Sequence, residues 1–96
     1  MRARKTDANH KSVLDHLVST GWCVHDSSAY GRGMGDALVS RLGHTAIVEI
    51  KTEKGELNKV QRKFRDGWAG AYFVVRSPDD AERQLTLWLL SLARLK

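Results

Sequence analysis

Glu49 and Lys51 interrupt an otherwise apolar run, Ile47-Val48-Glu49-Ile50-Lys51. Side chains alternate along a β-strand, so in a strand both would point to one face, roughly 6.6 Å apart at about 3.3 Å per residue. Burying a carboxylate and an ammonium group is unfavourable unless they are paired or hold a metal ion. This pair is therefore the first place to look for chemistry.

Asp36 begins a second apolar run, which a short turn joins to the first. With Leu42 and Gly43 as a two-residue hairpin loop, Asp36 falls opposite Glu49, where facing Cβ atoms lie about 4.5 to 5.5 Å apart. Like charges repel at that distance, and a hard divalent cation such as Mg²⁺ would compensate. A three-residue loop would shift the register by one and weaken the argument.

A metal ion held by Asp36 and Glu49 would polarise a phosphoryl oxygen and lower the pKa of a water molecule. Lys51 would orient that water or stabilise the charge that develops on the phosphate. Phosphodiester hydrolysis is the reaction that these groups suit. A cross-strand cluster of ion pairs at a solvated end of the sheet explains the same residues, and the residues alone do not decide between the two interpretations.

Apolar periodicity, with cap and turn residues, predicts the elements that must position these groups. Helices are predicted over 8–20, 59–67 and 78–95, and strands over 22–25, 36–41, 45–51 and 71–75. The order αβββαβα indicates an α/β fold, a small mixed sheet flanked by helices. The apolar strand 71–75 is typical of a buried strand.

Three polar or glycine signals mark the helix ends. Gly21 is expected to stop the first helix, and Asn58 with Gln61 has the pattern of a capping box at the start of the second. Ser77 before Pro78 is typical of the start of the third. A glycine-rich loop, 27–35, separates the first two strands.

Length and charge bound the class of protein. Ninety-six residues allow one domain, 1–96, and a net charge of +5 favours a polyanionic partner, with nucleic acid ahead of an acidic protein or an anionic membrane surface. Cys23, the single cysteine, excludes an intramolecular disulfide and a multi-cysteine zinc site. No secretory signal or membrane span is evident, so a cytoplasmic protein is expected.

The pattern Gly31-x-Gly33-x-Gly35-Asp36, followed by Glu49-x-Lys51 and by Gln61 on the next helix, resembles the PD-(D/E)XK nuclease superfamily. Within it, the likeness is to the VRR-NUC group, the virus-type replication and repair nucleases, and particularly to the stand-alone forms carried by phages. Local features extend the likeness over nearly the whole chain: Lys5-x-Asp7-Ala8-Asn9, Gly21 and Trp68-Ala69-Gly70.

The resemblance implies a Mg²⁺- or Mn²⁺-dependent DNA endonuclease, structure-selective on junction or flap DNA. Asp36, Glu49 and the backbone carbonyl of Ile50 would bind the metal, Lys51 would be the catalytic lysine, and Gln61 would be a further catalytic residue. The alternative is a catalytically inactive DNA-binding or protein-interaction module of the same fold.

Two positions depart from the family pattern. Gly35 stands where the family often has proline, which carries no chemistry. His10 stands where relatives tend to have glutamine or glutamate, so a contribution of the first helix to the metal site is left open. His10 does share a helical face with Val13 and Leu17, so it could point towards the site.

Contacts with DNA are predicted for Arg32 in the glycine loop and for Lys59 and Lys63 on the second helix, because all three could reach phosphates flanking the scissile bond. The three tryptophans lie in apolar contexts that favour packing over base stacking: Trp22, Trp68 and Trp88. The last helix is apolar nearly all round, which predicts a homodimer formed through it.

Overall fold

The computed structural model describes residues 7–94, with side chains from Asn9 onward. Within these residues the chain is an α/β domain with a four-stranded mixed sheet and three helices, which confirms the predicted class and element order. The predictions for Lys5 and for a helix end at Leu95 lie outside the described residues. The elements are α1 (Asp7–Ser19), β1 (Cys23–Asp26), a 3₁₀ turn (Ser28–Tyr30), β2 (Ala37–Arg41), β3 (His44–Ile50), α2 (Lys59–Gly67), β4 (Ala71–Val75) and α3 (Pro78–Arg94).

The hairpin between β2 and β3 has the predicted two-residue loop. Arg41 pairs with His44, and the antiparallel register continues to the pair of Ala37 with Val48. Leu42 and Gly43 both have positive φ, at 55° and 85°, as the tight turns that suit a twisted hairpin require. The ladder ends at the pair of Ala37 with Val48, and Asp36, the residue before β2, donates its backbone N–H to the carbonyl of Val48 near the end of β3.

The strands lie in the order β1-β2-β3-β4. β1 pairs antiparallel with β2, and β2 pairs antiparallel with β3. β4 pairs parallel with β3 after the crossover through α2. Helices α1 and α3 cover one face of this sheet. The core between them is formed by Val13, Leu17, Ala37, Val39, Ala46, Val48, Ile50, Val75, Ala81 and Leu85.

Helix α2 packs on the other face, to which the alternating side chains of Ile47 and Glu49 point. The helix begins with the predicted capping box: the side chain of Asn58 accepts from the backbone N–H of Gln61, and the side chain of Gln61 accepts from the backbone N–H of Asn58. This reciprocal pair fixes where α2 starts, directly beside the end of β3.

The prediction of a buried strand over 71–75 is correct only in part. β4 forms as expected, but Val75 is its one buried residue and the other four are half-buried. The reason is topological, because β4 is an edge strand and has a neighbour on one side only. The apolar run 71–75 predicts a strand that is covered on both of its faces. It does not show that β4 has no neighbouring strand on one side.

Helix α3 buries Ala81 and Leu85 against the sheet but leaves Leu87 and Leu90 exposed by 60% and 55%. Its start is capped as predicted, since the Ser77 hydroxyl accepts a hydrogen bond from the backbone N–H of Asp80. Across residues 7–94, none of the helices combines the length and the hydropathy needed to cross a bilayer.

Candidate active site

Asp36 is fixed at the point where β2 begins. Its backbone N–H donates to the carbonyl of Val48 (2.9 Å), and its carbonyl accepts from the N–H of Ser27 (2.8 Å). Its carboxylate atom Oδ2 accepts from the backbone N–H of Ile50 at 2.7 Å. The carboxylate therefore satisfies a donor at the end of β3, and this holds the side chain against the strand that carries Glu49.

Glu49 is the buried charge of the site, with 4% of its surface exposed. Its Oε2 accepts from the Gln61 side-chain amide at 2.9 Å, and the Lys51 ammonium lies 3.7 Å from the same oxygen. The side chains of Glu49, in β3, and of Lys51, directly after it, thus lie on the same face, as predicted. The interpretation of the cluster as solvated is wrong for Glu49, because docking of α2 removes this carboxylate from water.

The electrostatics follow from that burial. Burial, followed by the neighbouring charge of Asp36, raises the pKa of Glu49 from 4.5 to about 7, and the charge of Lys51 opposes the shift. Two carboxylates in one partly desolvated place resist ionising together. The pair consequently favours either a proton or an additional positive charge at neutral pH.

His10 of α1 also reaches this region. Its Nδ1 lies 3.8 Å from Oδ1 of Asp36, and its Nε2 lies 3.2 Å from Oδ2 of Asp26. Asp26 is held in turn by Ser28, whose hydroxyl is the main cause of the lowered pKa of the Asp26 carboxyl. The first helix therefore brings an imidazole to the edge of the carboxylate pair.

The oxygen donors for a cation are the two carboxylates. Among residues 7–94, no three side chains of His, Cys, Asp or Glu are grouped so that they could hold a metal ion. Mg²⁺ does not require such a group, since one or two carboxylates with waters and substrate phosphate oxygens complete its shell. Asp36 and Glu49 are the two carboxylates that could meet that smaller requirement. The His10 imidazole lies beside them, 3.8 Å from Asp36.

A cleft of about 80 Å³ opens over the carboxylates. The glycine-rich loop forms one of its walls, and Gln61 of α2 forms another. The loop lies directly on α2, because a Cβ at Gly33 would stand 2.7 Å from the carbonyl oxygen of Val60. Among the residues that line it are Gly31, Gly33, Gly35, Asp36, Glu49 and Gln61.

Comparison with protein-family models, with curated proteins and with solved structures gives no significant match. The function must therefore be argued from the residues of the site and their geometry.

Four other predicted site residues are not among those that line the cleft. Ile50 lies between Glu49 and Lys51 and is buried, with its N–H held by Asp36. Arg32 is exposed in the glycine loop with φ of 59°, and Lys59 and Lys63 are exposed on α2. Arg32 and Lys59 are the sequence neighbours of Gly33 and Val60, the residues at which the loop touches α2.

Tyr72 is a site neighbour that sequence reasoning missed. It pairs with Ile47 across the parallel strands, so its side chain shares a face with Glu49. Its hydroxyl is buried and has no hydrogen-bond partner among the described residues. Burial first, and then the charges of Glu49 and Asp36, raise the pKa of Tyr72 to about 12, so the phenol stays a donor. Only the β3–β4 register could have revealed it.

Gly35 carries the tightest constraint in the loop. Its φ is +113°, and a Cβ there would stand 2.4 Å from Cγ2 of Ile47. Proline could not adopt that φ. We expect Gly35→Ala to lower the free energy of unfolding by about 2–4 kcal/mol, from steric overlap and backbone strain together, as measured by urea denaturation.

Gly31→Ala is the matched control for this prediction. Gly31 also has positive φ, at +72°, but a Cβ there meets nothing within 4 Å. Only the backbone strain should then appear, about 1–3 kcal/mol for φ of 72° and ψ of −163°, without the steric overlap that Gly35→Ala adds. Equal destabilisation by the two substitutions would show that the contact with Ile47 does not constrain the loop.

Proposed function

We propose that this protein is a metal-dependent DNA endonuclease with a PD-(D/E)XK fold, similar to the VRR-NUC group, that hydrolyses phosphodiester bonds with Mg²⁺ or Mn²⁺. The observation that carries the proposal is the buried Glu49 beside Asp36, with the Lys51 ammonium 3.7 Å from Glu49 Oε2. A carboxylate pair with a raised pKa in a cleft is a combination typical of functional sites.

The residues present fit a hard divalent cation. Asp36 and Glu49 offer carboxylate oxygens. We propose that the backbone carbonyl of Ile50, the residue between Glu49 and Lys51, is an additional ligand. Such an ion would supply the Lewis acidity that activates water and the charge that neutralises the phosphate. It would also relieve the repulsion that raises the pKa of Glu49.

Three side chains prepare the site without binding the ion in this proposal. Lys51 carries three N–H donors and stabilises negative charge as it develops on the phosphate. Gln61 orients Glu49 through the 2.9 Å hydrogen bond to Oε2, and so acts as a positioning residue. The imidazole of His10, held by Asp26, lies 3.8 Å from Asp36 and would limit the positions that the Asp36 carboxylate can take.

A cleavage assay tests the proposal directly. Supercoiled plasmid, linear duplex and four-way-junction DNA would each be incubated with the protein in Mg²⁺, in Mn²⁺ or in EDTA. Cleavage in either metal and none in EDTA is the expected result. Binding of DNA without cleavage in either metal would instead identify a catalytically inactive DNA-binding module.

Lys59 and Lys63 are proposed to contact DNA phosphates, as is Arg32. Each phosphate contact releases counterions, so Lys59→Ala and Lys63→Ala should each lower the slope of log K against log salt concentration by about 1. Fluorescence anisotropy over a salt series measures the slope. Arg83→Ala on α3, which covers the opposite sheet face, should leave it unchanged, and a slope equally reduced by all three would exclude a specific role for α2.

We further propose a homodimer formed through α3, because Leu87 and Leu90 are exposed by 60% and 55% on one helix. Light scattering at micromolar concentration should give twice the chain mass of 10.8 kDa. The double variant Leu87→Ser and Leu90→Ser should give the single-chain mass, because it removes the apolar surface that would be buried. A wild-type protein of single-chain mass would contradict the dimer.

A further inference from the structure

Trp68 differs from the other tryptophans. The packing prediction is correct for Trp22, which is 4% exposed, and for Trp88, which packs edge-on against Phe73. Trp68 is 44% exposed, although its ring stacks on Phe64 with 5.6 Å between centroids and 19° between planes. A large aromatic side chain is therefore supported from within the protein and still open to solvent.

The position of this ring relates it to the carboxylates. Gln61, Phe64 and Trp68 follow one another at helical spacings of three and four residues, so they share one side of α2, with Trp68 directly after its last residue. At the other end of this row, Gln61 donates to Glu49. Seven residues at 1.5 Å per residue separate Gln61 and Trp68 by roughly 10.5 Å.

The charge of the same helix selects the kind of partner. α2 contains four basic residues and one acidic residue, Asp66. By helical spacing, Lys59 and Lys63 lie on the side of α2 opposite to Gln61 and Trp68. Arg65 is the exposed cation on the Trp68 side, and it pairs with the neighbouring Asp66 at the surface. An exposed aromatic ring beside a surface arginine is a combination by which proteins bind single-stranded nucleic acid, through stacking on bases and attraction to phosphates.

We propose that Trp68 is a stacking platform for an unpaired base of single-stranded DNA that runs along α2 from the cleft. In a duplex the base faces are covered by neighbouring base pairs, so a surface indole can stack only on a base that is unpaired. The inference rests on the proposed nuclease function and specifies its substrate: DNA with a single-stranded segment beside the scissile bond.

The test measures binding in EDTA, where metal-dependent hydrolysis does not occur. A labelled oligothymidine and a blunt hairpin duplex would be titrated with wild type, Trp68→Leu, Trp68→Phe and the control Val18→Ala, an exposed apolar residue of α1. Trp68→Leu should bind the oligothymidine roughly 5- to 100-fold more weakly, which corresponds to one stacked base. Trp68→Phe should retain most of the affinity, and Val18→Ala all of it.

Two further readouts separate stacking from a structural role. Oligothymidine should quench part of the tryptophan fluorescence of the wild type, and that part should be missing in Trp68→Phe. Thermal unfolding shows whether Trp68→Leu, which loses its contact with Phe64, remains folded. Unchanged affinity in Trp68→Leu overturns the proposal, and so does an equal loss for the oligothymidine and the duplex, which would indicate a general effect or a protein-binding surface.

The test of Trp68 can fail or succeed independently of the test for metal-dependent cleavage. Trp68-dependent binding of single strands without metal-dependent cleavage would leave the stacking platform intact and remove the nuclease. Metal-dependent cleavage that is equally fast in wild type and Trp68→Leu on flap DNA would leave the nuclease intact and remove the stacking platform.

Discussion

Asp36→Asn should reduce metal-dependent DNA cleavage by roughly 10³-fold, and Lys51→Met by at least about 10²-fold, with the fold preserved in both variants. Asparagine keeps a side-chain oxygen that can accept from the N–H of Ile50, as Asp36 does at 2.7 Å, but it lacks the negative charge needed for a cation. Methionine keeps the apolar stem of Lys51 and loses its donors. Single-turnover cleavage rates in saturating Mn²⁺ measure the effect.

Matched substitutions on the surface give the control. Asp15→Asn and Lys11→Met remove an exposed ion pair on α1, of the same two residue types, and should leave cleavage unchanged. Circular dichroism and unfolding midpoints verify that each variant is folded. Equal cleavage by wild type, Asp36→Asn and Lys51→Met would mean that a contaminating nuclease, and not this site, produces the activity.

The local part of the site was predictable from sequence. A two-residue turn at Leu42 and Gly43 fixes the hairpin register, and the alternation of side chains then brings Asp36, Glu49 and Lys51 together. Both steps depend on neighbours in the chain and on the twist of a hairpin. The capping box of α2 follows from equally local rules.

What tertiary packing decides was not predictable. Glu49 is buried because α2 lies over that face of the sheet, and nothing in the sequence around Glu49 shows which helix covers it. The helical face of His10 allowed it to point towards the site, but its contacts with Asp26 and Asp36 depend on how α1 packs beside the end of β1 and the start of β2. The exposure of Trp68 results from its place just beyond the end of α2, where an apolar sequence context was misleading.

Gln61 connects the predictable and the unpredictable parts. Its Oε1 accepts from the backbone N–H of Asn58 at 2.9 Å, which caps the helix, while its Nε2 donates to Glu49 at 2.9 Å. One amide group therefore fixes the start of α2 and the orientation of the buried carboxylate together. The structural and the catalytic explanations of this residue are compatible, because one uses the oxygen and the other the nitrogen of the same amide group.

Glu49→Gln should stabilise the metal-free protein at pH 8 and abolish cleavage. The folded-state pKa of Glu49 is raised from 4.5 to about 7, chiefly by burial. Its contribution to stability is thus fully present below pH 4.5 and is lost as the pH rises towards 7, because the folded state then binds more protons than the unfolded state. Glutamine stays neutral at every pH, so the unfolding midpoint of Glu49→Gln should not show this loss of stability as the pH rises.

Thermal unfolding in EDTA between pH 5 and pH 8 measures this difference, since the ionisable groups away from this cluster are common to both proteins. The exposed Glu56→Gln is the control and should follow the wild type at every pH. Adding Mn²⁺ at pH 8 should stabilise the wild type and not Glu49→Gln, because a ligand stabilises only the state that binds it. Parallel curves for wild type and Glu49→Gln would show that Glu49 ionises at its ordinary pH, and the carboxylate pair would then have no reason to favour a cation.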